Sequence, residues 1–141
     1  MTDGSAPSWI SLRVHDASVA IARRFARDVI ADHVTDADHA HSIVLVVSEL
    51  VTNALRAASR LRSWSHYDRP VQIGVLSTDQ GVHLYVTDPD PRPISVAHAA
   101  EASALRENGR GLGIVDAIAG QRWTTYGDDS KTIHVLIPHP V

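Results

Sequence analysis

A chain of 141 residues with 44% hydrophobic content is the length of one domain and too apolar to be intrinsically disordered. It has no cysteine, so disulfide scaffolds, thiol nucleophiles and thiolate metal sites are excluded, and 13 Lys+Arg against 16 Asp+Glu lack the basic footprint of a nucleic-acid binder. No unbroken apolar run reaches the ~20 residues of a membrane span, and the polar start MTDGS is no secretion signal, which predicts a cytoplasmic protein with no membrane contact.

Residues 1–8 are predicted to be a flexible N-terminus and 9–138 a single domain. Trp9–Val14 (WISLRV) alternates and predicts a short strand. Asp16 or Ser18 then caps a helix over 17–33, where Ile21, Phe25 and Val29 recur every four residues beside Ala22 and Ala26. Arg23, Arg24, Arg27 and Asp28 fall outside that stripe. A second helix is predicted from Asp36 or Asp38 to about Ser59. Its middle, IVLVVSELVTNAL, is apolar on nearly every side. Its β-branched residues suit a strand, but roughly 20 residues without Gly or Pro decide for a helix.

Residues 60–69 (RLRSWSHYDR) form a polar connection. Val71–Leu76 and Val82–Thr87 alternate about a Gly-containing loop, which predicts a hairpin. The prolines of DPDPRP end the second strand. Ser95–Arg106 suits a short Ala-rich helix, Gly109–Gly113 a loop, Ile114–Ala119 a further helix, and Arg122–Tyr126 with Thr132–Ile137 a closing hairpin. This order predicts an α+β fold, a two-layer α/β sandwich whose mixed, mainly antiparallel sheet is covered by helices on one face.

Three features carry candidate chemistry. Glu49 and Asn53 are four apart on the most apolar helix and so share a face. Such oxygen ligands suit Mg²⁺ completed by water and phosphate; alternatively both face solvent and Glu49 pairs with Arg56. Gly109-Arg-Gly-Leu-Gly ahead of a helix offers close backbone approach and free N–H groups to phosphate, or is simply a turn that starts the helix. It matches neither the P-loop, which needs Lys-Ser/Thr after the last glycine, nor the dinucleotide fingerprint. Asp88, closing the strand VHLYVT, can accept a hydrogen bond from the amino group of a base or serve as an ordinary turn residue. The histidines are read as solvated: His39 and His41, the nearest pair, point to different sides of a helix.

In order and approximate spacing the three features resemble the Bergerat-fold (GHKL) ATPase superfamily, with SELVTNAL similar to its N-box, Asp88 to its adenine-binding acid and GRGLGIVDAIA to its second glycine box. SELVTNALRAA and the ending KTIHVLIP are most similar to the anti-sigma-factor serine kinase branch, in particular its small actinobacterial regulators. The resemblance implies that Asn53 coordinates Mg²⁺ and that Glu49 is the catalytic base or orienting group for the attacking hydroxyl. It implies that Asp88 binds adenine, that Gly109, Arg110, Gly111, Leu112 and Gly113 contact the phosphates of ATP, and that Thr132 supports the adenine site. It further implies a protein-serine kinase and anti-sigma factor, with an anti-sigma-factor antagonist and a sigma factor as partners, an arginine of the first helix engaging a protein, and a homodimer. The first glycine box departs from the pattern: Asp90 and Arg92 stand where the superfamily has glycines. The alternative is a protein-interaction module of the same fold that binds nucleotide without catalysis, or none.

Overall fold

The structure, a computed structural model, describes residues 6–61, 69–92 and 106–140, with the backbone alone at 106–111. Its elements are β1 (Ser8–Leu12), α1 (Ala17–Ile30), α2 (Ala37–Ser59), β2 (Val71–Ser77), β3 (Gly81–Asp88), α3 (Arg106–Ile118), β4 (Gln121–Tyr126) and β5 (Lys131–Pro138). The five strands lie in the order β1-β2-β3-β5-β4. Among the described residues every pairing is antiparallel, so the sheet there is wholly antiparallel rather than mixed, because each strand meets a neighbour running the other way. The α+β sandwich is as predicted, with the three described helices on one face. The segment 95–105 proposed as a helix and the connection over 62–68 lie outside the described residues.

α2 is the centre of the core. Asp36 caps it by accepting the His39 amide hydrogen at 2.8 Å, which satisfies one of the first-turn N–H groups. Ile43, Val46, Val47, Leu50, Val51 and Ala58 are all fully buried, against inward residues of the central strands such as Ile73, Leu84 and Val135. By length and composition α2 is apolar enough to cross a membrane, but here that apolar surface is the packing face of the core.

α1 differs from its predicted stripe. Ser18, Ala22, Ala26 and Ile30 form the buried line, while Ile21 is 53% exposed. Small side chains let two helices approach closely, so the alanines take the contact with α2 and the larger Phe25 and Val29 pack at its flank. The start is also tied differently. Asp16 makes no side-chain capping bond; His15 Nδ1 accepts the Ala17 amide hydrogen at 3.0 Å, and Ser18 Oγ donates to the Arg13 carbonyl at 2.7 Å.

Among the described residues, no helix lies on the other face of the sheet. Cross-strand register places Trp9, Gly74, Tyr85, His134 and Trp123 in one row across all five strands. The Tyr85 ring lies over Gly74, in the space a Cβ would take. Trp123 stacks on His134 at 5.1 Å and on His83 at 5.5 Å between ring centroids. His83 Nε2 and His134 Nδ1 are 3.2 Å apart, and His134 Nε2 lies 2.9 Å from Thr125 Oγ1. These two imidazoles are half-buried rather than solvated. Burial lowers the pKa of each, and for His134 the neighbouring His83 lowers it further.

A pH dependence follows. The unfolded chain takes up these protons near the ordinary value of 6.5, the folded chain only at lower pH, so the pair's contribution to stability is complete above that value and is lost as pH falls through the folded pKa values. The midpoint of thermal unfolding is expected to drop between pH 7.5 and 5.5, by less in a His83→Gln, His134→Gln double variant. Equal drops in both proteins would show that the pair does not contribute.

Candidate functional site

The site is assembled where β3 ends. The prolines at 89 and 91 have no N–H, yet the turn is well tied, because Asp88 and Asp90 each accept a backbone hydrogen two residues on: Asp90 N–H to Asp88 Oδ1 at 2.8 Å and Arg92 N–H to Asp90 Oδ1 at 3.0 Å. Two successive aspartate turns thus replace the glycines of the Bergerat pattern. Asp90 points inward and is fully buried, but its charge is matched, with Arg92 Nε and Nη2 donating to both carboxylate oxygens at 2.7–3.1 Å. Burial alone would raise the Asp90 pKa; the bonds from Arg92, with Lys131 nearby, outweigh it and hold the carboxyl below its ordinary range.

Asp88 is 2% exposed and is not alone. Lys131 Nζ donates to Asp88 Oδ1 at 3.2 Å and to the Asp90 carbonyl at 2.9 Å, and it is itself 4% exposed. Burial nevertheless pushes the Asp88 carboxyl up, offset in part by Lys131 and the Asp90 amide. Lys131 is a site residue whose signal in the sequence is its phase: in KTIHVLIP it alternates with Ile133, Val135 and Ile137, the inward positions of β5. Thr132 is out of phase. It faces the open side of the sheet, where its Oγ1 lies 2.7 Å from Thr87 Oγ1. Its predicted place beside adenine is therefore corrected: strand alternation puts Lys131 beside Asp88 and turns Thr132 away.

α2 supplies the second part. Glu49 is half-buried and among the described residues has no ion-pair partner; Arg56, the partner proposed in the alternative reading, is exposed. One turn on, Asn53 Nδ2 is buried with no hydrogen-bond partner among the described residues. A buried amide donor left unpaired is unfavourable, and this one sits one turn from the half-buried Glu49 carboxylate. Arg60, just past α2, lies within electrostatic reach of the turn: its pKa is lowered by burial and by Arg92, against the opposing effect of Asp90 and Asp88. Asn53 is roughly 10 Å back from Arg60 along the helix at ~1.5 Å per residue, so α2 runs from the Glu49–Asn53 face to the Asp88 turn.

α3 packs against α2 with Leu112 and Val115 buried. It begins at Arg106, so Gly109, Arg110, Gly111 and Gly113 lie within its helical span and the predicted loop is corrected. Glycine weakens a helix by roughly 1 kcal/mol relative to alanine but does not prevent one, and burial of Leu112 and Val115 favours the helical course. A Cβ at Gly113 would meet nothing within 4 Å. On α1, Arg23 Nε donates to Ser48 Oγ at 2.6 Å, which ties that arginine to α2 rather than leaving it wholly available to a partner.

The structure thus holds a buried acid at the end of β3, a carboxylate and an orphaned amide one turn apart on α2, and a glycine-bearing helix packed on α2. The sequence pattern of the histidine kinase-like ATPase domain matches residues 12–135, and the chain belongs to that family. Its fold is similar to that of the RsbU and RsbW domains of Rv1364c from Mycobacterium tuberculosis (TM-score 0.68, 17% identity), covering 97% of this chain and 34% of that one. The chain thus spans about a third of the length of that two-domain chain. It is also similar to a chain of the SiaB–SiaC complex from Pseudomonas aeruginosa (TM-score 0.65, 12% identity, 92% and 88% covered). A third similar structure is the histidine kinase domain of the Erythrobacter litoralis EL346 blue-light activated histidine kinase (TM-score 0.51, 18% identity, 96% and 70% covered). No curated protein sequence matches the chain.

Proposed function

We propose that this chain is an Mg·ATP-dependent protein-serine kinase of the cytoplasm that also acts as an anti-sigma factor, phosphorylating a serine of an anti-sigma-factor antagonist and sequestering a sigma factor. The observation that carries this reading is the Asn53 amide, buried without a partner among the described residues one turn from Glu49 in an ATPase-family domain. Similarity to an RsbW domain and to a chain of the SiaB–SiaC complex supports protein partners, and the homodimer is part of the same proposal.

The residues present fit Mg²⁺ bound to a nucleotide. The Asn53 carboxamide offers an oxygen to the ion and an unfilled N–H to a phosphate oxygen, and the ion, when bound, neutralises charge on the phosphates. Glu49 takes the proton of the serine hydroxyl as the new Oγ–P bond forms and the γ-phosphate bond to ADP breaks. Asp88 accepts from the adenine amino group, held in place by the Asp90 amide and Lys131. The three glycines of α3 carry no side chain to obstruct the phosphates, and Arg110 adds a cation.

The non-catalytic reading has one specific observation in its favour: Lys131 already occupies Asp88 Oδ1. Thermal unfolding tests the nucleotide-free form of that reading, and the Glu49→Ala transfer assay the nucleotide-bound form. A ligand at a hundredfold excess over its Kd stabilises the native state by about 2.7 kcal/mol, so Mg·ATP should raise the midpoint of the wild type and not that of Asn53→Ala. Without nucleotide the variant should be no less stable than wild type, since it loses a buried donor that had no partner. An unshifted wild type at millimolar Mg·ATP would establish the binding-module reading.

A further inference from the structure

A cleft of about 530 Å³ opens where the edge strand β1 meets the start of α1. Its floor is aliphatic, with Ile10 and Leu12 from β1 and Ile21 from α1. Ile21 is 53% exposed, because the alanines of α1 take the contact with α2 and leave the larger side chain to this side. The rim is basic, made by Arg13, His15 and Arg69. Both arginines are exposed and have no ion-pair partner among the described residues. His15 Nδ1 accepts the Ala17 amide hydrogen, so the neutral ring carries its proton on Nε2 and is a donor there. No carboxylate is among the described residues that line the cleft; Asp16, next in the chain, lines a separate hollow against α2. In a chain of net charge −3, this is a local concentration of positive charge around an apolar floor.

We propose that this cleft binds a small amphipathic carboxylate, whose acyl chain lies on Ile10, Leu12 and Ile21 and whose carboxylate is held by Arg13 and Arg69. The two halves of such a ligand answer the two halves of the site. Guanidinium groups give a carboxylate charge-assisted and often bidentate hydrogen bonds, and the aliphatic floor takes methylenes out of water. A neutral apolar molecule would leave the arginines unused. A compact anion such as inorganic phosphate would leave the floor uncovered. Size agrees as well: about 530 Å³ lies within the roughly 300–1,000 Å³ of small-molecule sites, which are mostly apolar with a few placed polar groups. None of these residues belongs to the proposed nucleotide site, so the inference does not rest on that reading.

Isothermal titration of the full chain with butanoate, hexanoate and octanoate, each kept below its micelle-forming concentration, tests it. Affinity is expected to rise with chain length by up to about fourfold per buried methylene, reaching one octanoate per chain with a Kd at or below about 1 mM. Octan-1-ol, which has the chain without the charge, is expected to bind about tenfold more weakly. Arg13→Gln with Arg69→Gln should remove that difference between octanoate and octanol, whereas Ile21→Gln should weaken both. All three side chains are exposed, so the far-ultraviolet circular dichroism spectrum is expected to be unchanged; should the double variant not fold, Arg69→Gln alone is expected to narrow the difference. No saturable binding of octanoate at millimolar concentration overturns the proposal. Octanol bound as tightly as octanoate overturns it too, as does octanoate binding that persists unchanged in the folded variants.

Discussion

Glu49→Ala is expected to lower phosphoryl transfer by about 10²–10⁴-fold, the usual contribution of a positioned general base, while leaving the nucleotide-induced rise in unfolding midpoint intact. Both halves of that expectation come from placement. Glu49 is half-buried on α2 and among the described residues has no ion pair, so its carboxylate is not committed to holding the fold together. Asn53, one turn away, carries the orphaned amide and is the residue assigned to the phosphates. Phosphoryl transfer depends mainly on positioning and charge stabilisation, so loss of the proton acceptor should reduce turnover more than affinity. Transfer of γ-phosphate label to a serine of the antagonist, measured beside thermal shift, separates the two. Unchanged transfer would remove Glu49 from the mechanism; loss of both readouts would make it a binding residue.

Lys131→Met should be the most destabilising single change in the site. The Lys131–Asp88 pair is buried on both sides, with side chains 4% and 3% exposed. Removing one member of such a pair leaves an uncompensated carboxylate and costs about 3–5 kcal/mol; at about 2–4 °C per kcal/mol for a chain near this size the midpoint falls by roughly 10 °C. The Asp90 carbonyl loses its partner in the same step. Replacing Asp88 as well, by asparagine, removes the stranded charge, so the double variant should be destabilised by clearly less than the two single changes summed. Additive losses would mean that the two groups do not stabilise one another. The pair also bears on function: Lys131 orients the carboxylate assigned to adenine, so Lys131→Met should weaken nucleotide binding at temperatures where the variant remains folded.

Much of the fold was legible because helix and strand periodicity is local. Residues 43–58 could only be a helix buried around most of its circumference, and the alternating hairpins at 71–87 and 121–138 could hardly be anything but antiparallel pairs. Glu49 and Asn53 were legible for the same reason, since a spacing of four fixes a shared face whatever surrounds it. The stripe of α1 was displaced because hydrophobicity marks which residues can be buried, whereas close helix approach selects the small ones. At Gly109–Gly113 the glycines suggested a loop, but their neighbours Leu112 and Val115 had a core to enter.

The sequence by itself determined α1, α2 and the strands, which acid ends β3, and that α2 carries a carboxylate and a carboxamide on one face, since each depends only on residues a few positions apart; the start of α3 it did not. Only the tertiary structure decided that Lys131 and not Thr132 meets Asp88, that Arg92 neutralises the inward Asp90, and that Trp9, Tyr85, His134 and Trp123 form one uncharged row. Each of these depends on cross-strand register or on the direction a turn takes into the core, and a shift of one residue in either sends the same side chains to the opposite face.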